Sequence, residues 1–259
     1  MREPRGDRRP GDRRLAALAE RYSLSGQAVA QLERLLELIV SDRLAPTAIR
    51  DPGRVVDDHL ADALVALELE IVRAAESVAD LGSGSGIPGL PLAIAKPSAR
   101  VWLVESNRRR CAFLERAAHA CALDNVSVIQ SRAESWGGGL GRCQLVTARA
   151  LESLAVVAEY AAPLLRVGGA LVAWRGERDE RAEAGAARAA SELGLELQEV
   201  RRVRPYRDAR QRHLHVMLKV RQTPPTFPRR EGMARKRPLG TGLESRLNDS
   251  PRPSDRARR

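Results

Sequence analysis

Glycines alternate through Gly82-Ser83-Gly84-Ser85-Gly86-Ile87-Pro88-Gly89, and an acid, Asp80, stands just ahead of them. Glycines at the end of a strand let the backbone turn tightly and approach a ligand with no Cβ in the way. Glu105, 21 residues after Gly84, falls at the end of the next predicted strand, where a carboxylate accepts hydrogen bonds from ribose hydroxyls. Two cofactor classes answer to this pattern. Gly84-x-Gly86-x-x-Gly89 is formally a dinucleotide fingerprint, so a nicotinamide enzyme competes. Against it, Asp80 ahead of the glycines suits the amino-acid end of S-adenosylmethionine better than a pyrophosphate. Pro88 also removes an N–H that a pyrophosphate-binding helix would offer, and helices precede the first strand. The residues favour the methyl donor. A turn that binds nothing is the bland alternative, and alternating glycines at a strand end fit it poorly.

Ser131-Arg132-Ala133-Glu134 follows the third predicted strand. A small residue and an acid at that place can hold an adenine, through the Ala133 backbone and the Glu134 carboxylate or main chain; a surface acid capping a turn reads equally well from spacing. At the fourth strand stands Val146-Thr147-Ala148-Arg149-Ala150. The Asn/Asp-Pro-Pro-aromatic sequence common in exocyclic-amine methylation is absent there, and Cys143 lies before the strand, where a pyrimidine-attacking nucleophile is not expected. What remains is an acceptor that is already nucleophilic, such as guanine N7. It needs no general base, so no catalytic acid or base is assigned, and positioning supplies the acceleration. Arg149 is a candidate to orient the donor carboxylate or an RNA phosphate; its alternative is a salt bridge at a strand end.

These residues need a scaffold. Helical spacing is predicted from Ser25 (Val29, Leu32, Leu36, Ile39, Val40). A second helix starts at Asp51-Pro52, with Val55, Val56, His59, Leu60, Ala63, Leu64 and Leu67 as its apolar stripe. Strands over 77–81, 101–104, 126–130, 144–147 and 170–174 then alternate with helices over 90–95, 109–122, 153–165 and 177–193. Val167-Gly168-Gly169 reads as a turn, and 196–202 with 214–220 as a closing antiparallel pair. The pattern predicts an α/β, Rossmann-like methyltransferase fold: a seven-stranded, mostly parallel sheet with an antiparallel edge hairpin, preceded by an N-terminal helical segment. The expected organisation is a disordered basic tail over 1–14, helices over 15–74, a donor-binding domain over 75–220, and a basic, largely disordered tail over 221–259.

The charge follows that organisation. The net charge is +11; residues 1–14 carry +3, residues 221–259 carry +7, and the body is nearly neutral. Basic ends suit a polyanionic partner, or are simply solvated. Hydrophobic residues make up 43% and aromatics 3%, so the expected core is Ala, Leu and Val. Three cysteines without C-x-x-C spacing indicate neither a disulfide scaffold nor a metal site, and no apolar run is long enough to cross a membrane; the chain reads as cytoplasmic.

Longer blocks add a resemblance. Thr47-Ala48-Ile49-Arg50-Asp51-Pro52, His59-Leu60-x-Asp62-Ala63-Leu64, the glycine loop, Ser131-Arg132-Ala133-Glu134, Thr147-Ala148-Arg149-Ala150 and Arg212-His213-Leu214 occur in order. Near the end come Thr223-Pro224-x-x-Phe227-Pro228-Arg229-Arg230-x-Gly232 and Lys236-x-Pro238-Leu239. The chain resembles the 16S rRNA guanine-N7 methyltransferase G family, also called glucose-inhibited division protein B. The resemblance implies donor contacts on Gly82, Ile87, Ala133, Glu134 and Arg149, with His59, Asp62, Arg212 and His213 facing the cofactor or the RNA. It implies S-adenosylmethionine as cofactor, and a guanine in the decoding region of 16S rRNA, or of a small-subunit assembly intermediate, as target of a monomeric enzyme. A methyltransferase of another RNA nucleotide and a non-catalytic RNA-binding protein are the alternatives. Departures lie over residues 41–47 and at Arg109 and Arg175, where the family usually has Lys. Residues beyond about 240 have no counterpart.

Overall fold

The computed structural model describes residues 10–240; the disorder expected for residues 1–9 and for those beyond 240 lies outside the described residues. The first described element, α1 (Pro10–Arg21), already departs from expectation, because residues 10–14 are helical. Leu15 and Leu18, three apart, are buried on one face. Arg14 donates to the Gly53 carbonyl at 3.0 Å and pairs with Asp57, while Arg21 pairs with Glu68 at 2.5 Å. Arg14, which reads as part of a basic tail, thus helps fasten a helix to the body. The Ser25 side chain caps α2 (Gly26–Ser41), which buries Leu32, Leu35, Leu36 and Ile39.

Residues 52–68 keep the predicted apolar stripe but not the single helix. Asp51 caps α3 (Pro52–Val55); a π-turn (Val56–Ala61), α4 (Asp62–Leu64) and a 3₁₀ turn (Val65–Glu68) follow. Val55, Val56, Leu60, Ala63 and Leu64 are all buried. π-Turns inside helices concentrate at functional sites, because the extra residue re-aims the side chains around it. The next helix, α5 (Glu70–Ala74), closes the segment expected to be helical and has Val72 as its one buried residue.

The sheet is built from β1 (Ser77–Leu81), β2 (Arg100–Glu105), β3 (Val126–Gln130), β4 (Cys143–Arg149), β5 (Leu165–Arg175), β6 (Leu195–Arg202) and β7 (His213–Lys219). Its order is β3-β2-β1-β4-β5-β7-β6. The pairs from β3 to β5 are parallel, and β7 runs antiparallel between β5 and β6. Strand order reverses between β1 and β4, so a crevice opens beyond their carboxyl ends. Helices α6 (Gly89–Ala95), α7 (Arg108–Ala120), α8 (Leu154–Ala161) and α9 (Glu180–Leu193) connect the strands. Helix α8 stops short of the expected 165 because Pro163, just past its last turn, has no N–H to continue the hydrogen-bond ladder. The predicted turn at Val167-Gly168-Gly169 lies inside β5. A Cβ at Gly169 would stand 2.8 Å from the Gln144 carbonyl oxygen, so this glycine marks a close strand approach at a bulge rather than a turn.

Residues 221–240, expected to be largely disordered, pack against the body. Arg229 makes paired hydrogen bonds of 2.7 and 2.5 Å to the buried Glu159, and Thr223 donates to the Leu193 carbonyl at 3.0 Å. Phe227, Ala234 and Leu239 pack on the hydrophobic cluster beneath, and α10 (Met233–Lys236) completes the segment.

Candidate functional site

Asp80, at the end of β1, is a brace. Its Oδ1 accepts the Thr147 hydroxyl at 2.8 Å, its Oδ2 the Gly89 amide at 3.3 Å, and its carbonyl the Ser83 hydroxyl at 2.8 Å. The carboxyl is buried, which pushes its pKa up to about 6, and it joins β1, β4 and the start of α6 rather than facing the crevice. Gly82 adopts φ +64, and a Cβ there would stand 2.4 Å from Leu151 Cδ1. Only glycine keeps both the backbone turn and the neighbouring side chain in place.

Glu105, at the end of β2, accepts the Gly84 amide at 3.1 Å and the Asn107 amide at 2.8 Å, with Arg110 at 3.7 Å. Gly82, Glu105, Ala133, Glu134, Leu151 and Tyr160 surround a cavity of about 220 Å³ beyond the strand ends. Four of the predicted donor residues therefore converge, with Gly84 tied in through Glu105. Ile87 is elsewhere: its side chain is buried in the core cluster. The Glu134 carboxylate accepts the Gly232 amide at 3.1 Å, Arg132 pairs with Glu231, and Arg235, also at the cavity, pairs with Glu152 at 2.7 Å. The C-terminal segment thus supplies part of this site, which the reading of a free tail missed.

A second cavity, of about 450 Å³, adjoins the first and shares Ala150 with it. Ala150 holds φ +52, a left-handed conformation that costs a non-glycine residue and recurs at functional sites. Asp58, Asp62, Arg149, Trp174, Arg212 and His213 line this second cavity. Arg149 stands on this side: it donates to Asp62 Oδ2 at 2.6 Å, to the Asp58 carbonyl at 2.9 Å and to His59 Nδ1 at 3.1 Å. Arg212 Nε lies 3.4 Å from Asp62 Oδ1, and His213 Nδ1 donates to the Gly176 carbonyl at 2.7 Å. Burial pushes the Asp62 pKa up, with Arg149 and Arg212 opposing.

His59 is buried beneath Arg149 rather than in the cavity wall. Its Nδ1 stands 3.1 Å from both the Arg149 guanidinium and the Asp58 carbonyl, and its Nε2 lies 2.9 Å from Thr47 Oγ1. Burial, then Arg149, holds its pKa down, which keeps it neutral. Asp58, Trp174 and Ala150 were not foreseen; a single acid, a strand tryptophan and an alanine carry no pattern of their own. Arg175, one of the departures, lines the second cavity and donates to the Glu152 carbonyl at 2.7 Å, whereas Arg109 is exposed on α7. Cys143 is buried at the opposite end of β4, and burial pushes its thiol up to about 12, which leaves no thiolate for nucleophilic attack.

A switch-point crevice, a glycine loop after β1, an acid after β2 and an antiparallel β7 define the Rossmann-like methyltransferase class. The fold is similar to that of an S-adenosylmethionine-dependent methyltransferase from Aquifex aeolicus, at a TM-score of 0.50 and 17% identity over 66% of this chain and 94% of that one. The sequence model of the rRNA small subunit methyltransferase G family matches residues 28–214, and this chain belongs to that family. It is 38% identical over 225 residues to ribosomal RNA small subunit methyltransferase G of Rubrobacter xylanophilus, covering 84% of this chain and 86% of that protein. The Chloroflexus aggregans protein of the same name is 39% identical over 222 residues, covering 83% and 92%. Among the described residues no helix is long and apolar enough to cross a membrane.

Proposed function

We propose that this chain transfers the methyl group of S-adenosylmethionine to N7 of a guanine in 16S rRNA. The observation that carries the reading is the pair of cavities meeting at Ala150 beyond β1 and β4, one suited to a nucleoside and the other to a base. The residues fit the donor: a glycine loop in which Gly82 has no room for a Cβ, an acid at the end of β2 and another in the turn after β3. Bound there, S-adenosylmethionine supplies an electrophilic methyl group on sulfur.

The chain's own part is placement. Gly82, Gly84, Glu105, Ala133 and Glu134 hold the nucleoside end, Ile87 supports the loop from the core, and Arg149 stands at the junction for the donor's carboxylate. Arg212 and His213 face the base, while His59 fixes Arg149. Guanine N7 carries a lone pair with no proton to remove, so a neutral, buried His59 is no defect, and alignment supplies the acceleration. Arg54, Arg175 and Arg212 around the second cavity attract phosphates. On this reading the helices before β1 roof the acceptor cavity, and the chain acts as a cytoplasmic monomer on a guanine of the decoding region.

The test is incubation of the purified protein with methyl-labelled S-adenosylmethionine and rRNA from cells lacking it. Label recovered as 7-methylguanine supports the reading. Label in another base would make this a methyltransferase of a different nucleotide, and RNA binding without label a non-catalytic binder.

A further inference from the structure

Asp62 lines the second cavity with one of its two carboxylate oxygens unused. It begins α4 directly after the π-turn, is 5% exposed, and faces the 450 Å³ cavity. Oδ2 is taken by Arg149 at 2.6 Å, while Oδ1, itself enclosed, has no hydrogen-bond partner; Arg212 Nε is 3.4 Å away in ion-pair contact only. The other cavity carboxylate is engaged: Asp58 accepts the Tyr206 hydroxyl at 2.6 Å on Oδ1 and Arg54 at 3.1 Å on Oδ2. A buried acceptor left unfilled is costly, and a ligand that fills it recovers that cost.

We propose that the Asp62 carboxylate reads the Watson–Crick edge of the target guanine, with Oδ1 accepting from its N1–H and exocyclic amine. The inference rests on the guanine-N7 reading above and adds the residue that selects the base. Guanine alone among the four bases places two donors side by side on that edge. Adenine and cytosine put an acceptor beside their amine, and uracil flanks its N–H with carbonyls, so each sets a lone pair against the carboxylate. Arg212, beside the same oxygen, supplies a donor for O6. N7 lies on the opposite, imidazole side of the base. Docking the pyrimidine edge on Asp62 therefore leaves N7 free for the donor cavity across Ala150.

The proposal is tested with rRNA in which hypoxanthine replaces the single target guanine, removing the exocyclic amine and keeping N7. With the native protein, kcat/KM should fall by about 10- to 100-fold on that change, as for a site with a buried acceptor left unpaired. In Asp62→Asn the amide oxygen keeps Arg149 and the amide nitrogen faces the base, so both RNAs should react slowly at nearly equal rates, while calorimetric affinity for S-adenosylmethionine stays within about threefold. Equal rates on the two RNAs with the native protein would overturn the proposal while leaving N7 methylation standing. So would an unchanged guanine preference in Asp62→Asn, or a loss explained by weaker donor binding, which would make Asp62 a support for Arg149 alone. No methylation of the guanine RNA by the native protein would overturn both readings.

Discussion

The Glu134 carboxylate accepts the Gly232 amide at 3.1 Å, bringing backbone from 98 residues further along the chain to the rim of the donor cavity. The C-terminal segment is thereby part of the proposed donor site, and its Arg229 and Arg235 serve the fold through Glu159 and Glu152. Truncation after Val220 should weaken affinity for S-adenosylmethionine by about tenfold, the scale of one hydrogen bond to a charged group. It should also weaken RNA binding and reduce its salt dependence. Calorimetry with the truncated chain checks the first effect; an unchanged affinity would make the segment irrelevant to the donor.

Arg229 matters for a different reason. Its guanidinium is the paired partner of Glu159, which is 2% exposed on α8. Removing it leaves a carboxylate buried without compensation. Arg229→Ala should therefore cost about 2 kcal/mol of stability, less than the about 3–5 kcal/mol of a fully buried pair because the arginine is partly solvated. A Glu159→Gln, Arg229→Ala double variant should recover part of that loss. Urea unfolding measures both, and a single variant as stable as the native protein would contradict the assignment.

Gly82→Val should abolish detectable donor binding, a loss of about 100-fold or more, while the chain remains folded. The expectation from sequence alone is that a branched side chain would occupy ligand space. The structure gives a more specific cause: the new Cβ meets Leu151, which itself lines the donor cavity, and φ +64 resists any side chain. Titration calorimetry with S-adenosylmethionine decides, and an unchanged affinity would count against the site.

Much of the sheet is legible in the sequence because its strands are short apolar runs punctuated by glycine and by helices with clear stripes. The glycine loop, Glu105, Ala133 and Glu134 are legible for the same reason: each sits just past a strand end, where a switch-point fold gathers its ligands. What is not legible depends on long-range partners. Asp80 reads as a donor contact until Thr147 and Gly89 are seen to occupy both of its oxygens. Arg14 and Arg229 read as solvated charges until Asp57 and Glu159 are placed against them. Residues 52–68 show a helical stripe, and a stripe does not reveal a π-turn, because the turn moves Asp58 and Asp62 without unburying Leu60 or Leu64.

Asp80 predicts a pH dependence with a definite sign. Its carboxyl is held up to about 6 by burial against 3.8 in the unfolded chain. Between those values the folded state keeps a proton that the unfolded state has lost, so this group's contribution to stability falls as pH rises and stays lost above about 6. Asp80→Asn removes the charge and retains the shape. Its stability relative to the native protein should improve from about pH 4 to about pH 7, by on the order of 2 kcal/mol. Urea unfolding of both proteins at the two pH values tests this, and a difference that does not change with pH would refute it.

The position of the methyl group can be read directly in the cell. Borohydride reduction followed by aniline cuts RNA at 7-methylguanine. Small-subunit rRNA from cells carrying the protein should show a scission in the decoding region, which should vanish from cells lacking it and return when the native gene is restored. A scission that persists unchanged in cells lacking the protein would contradict the account.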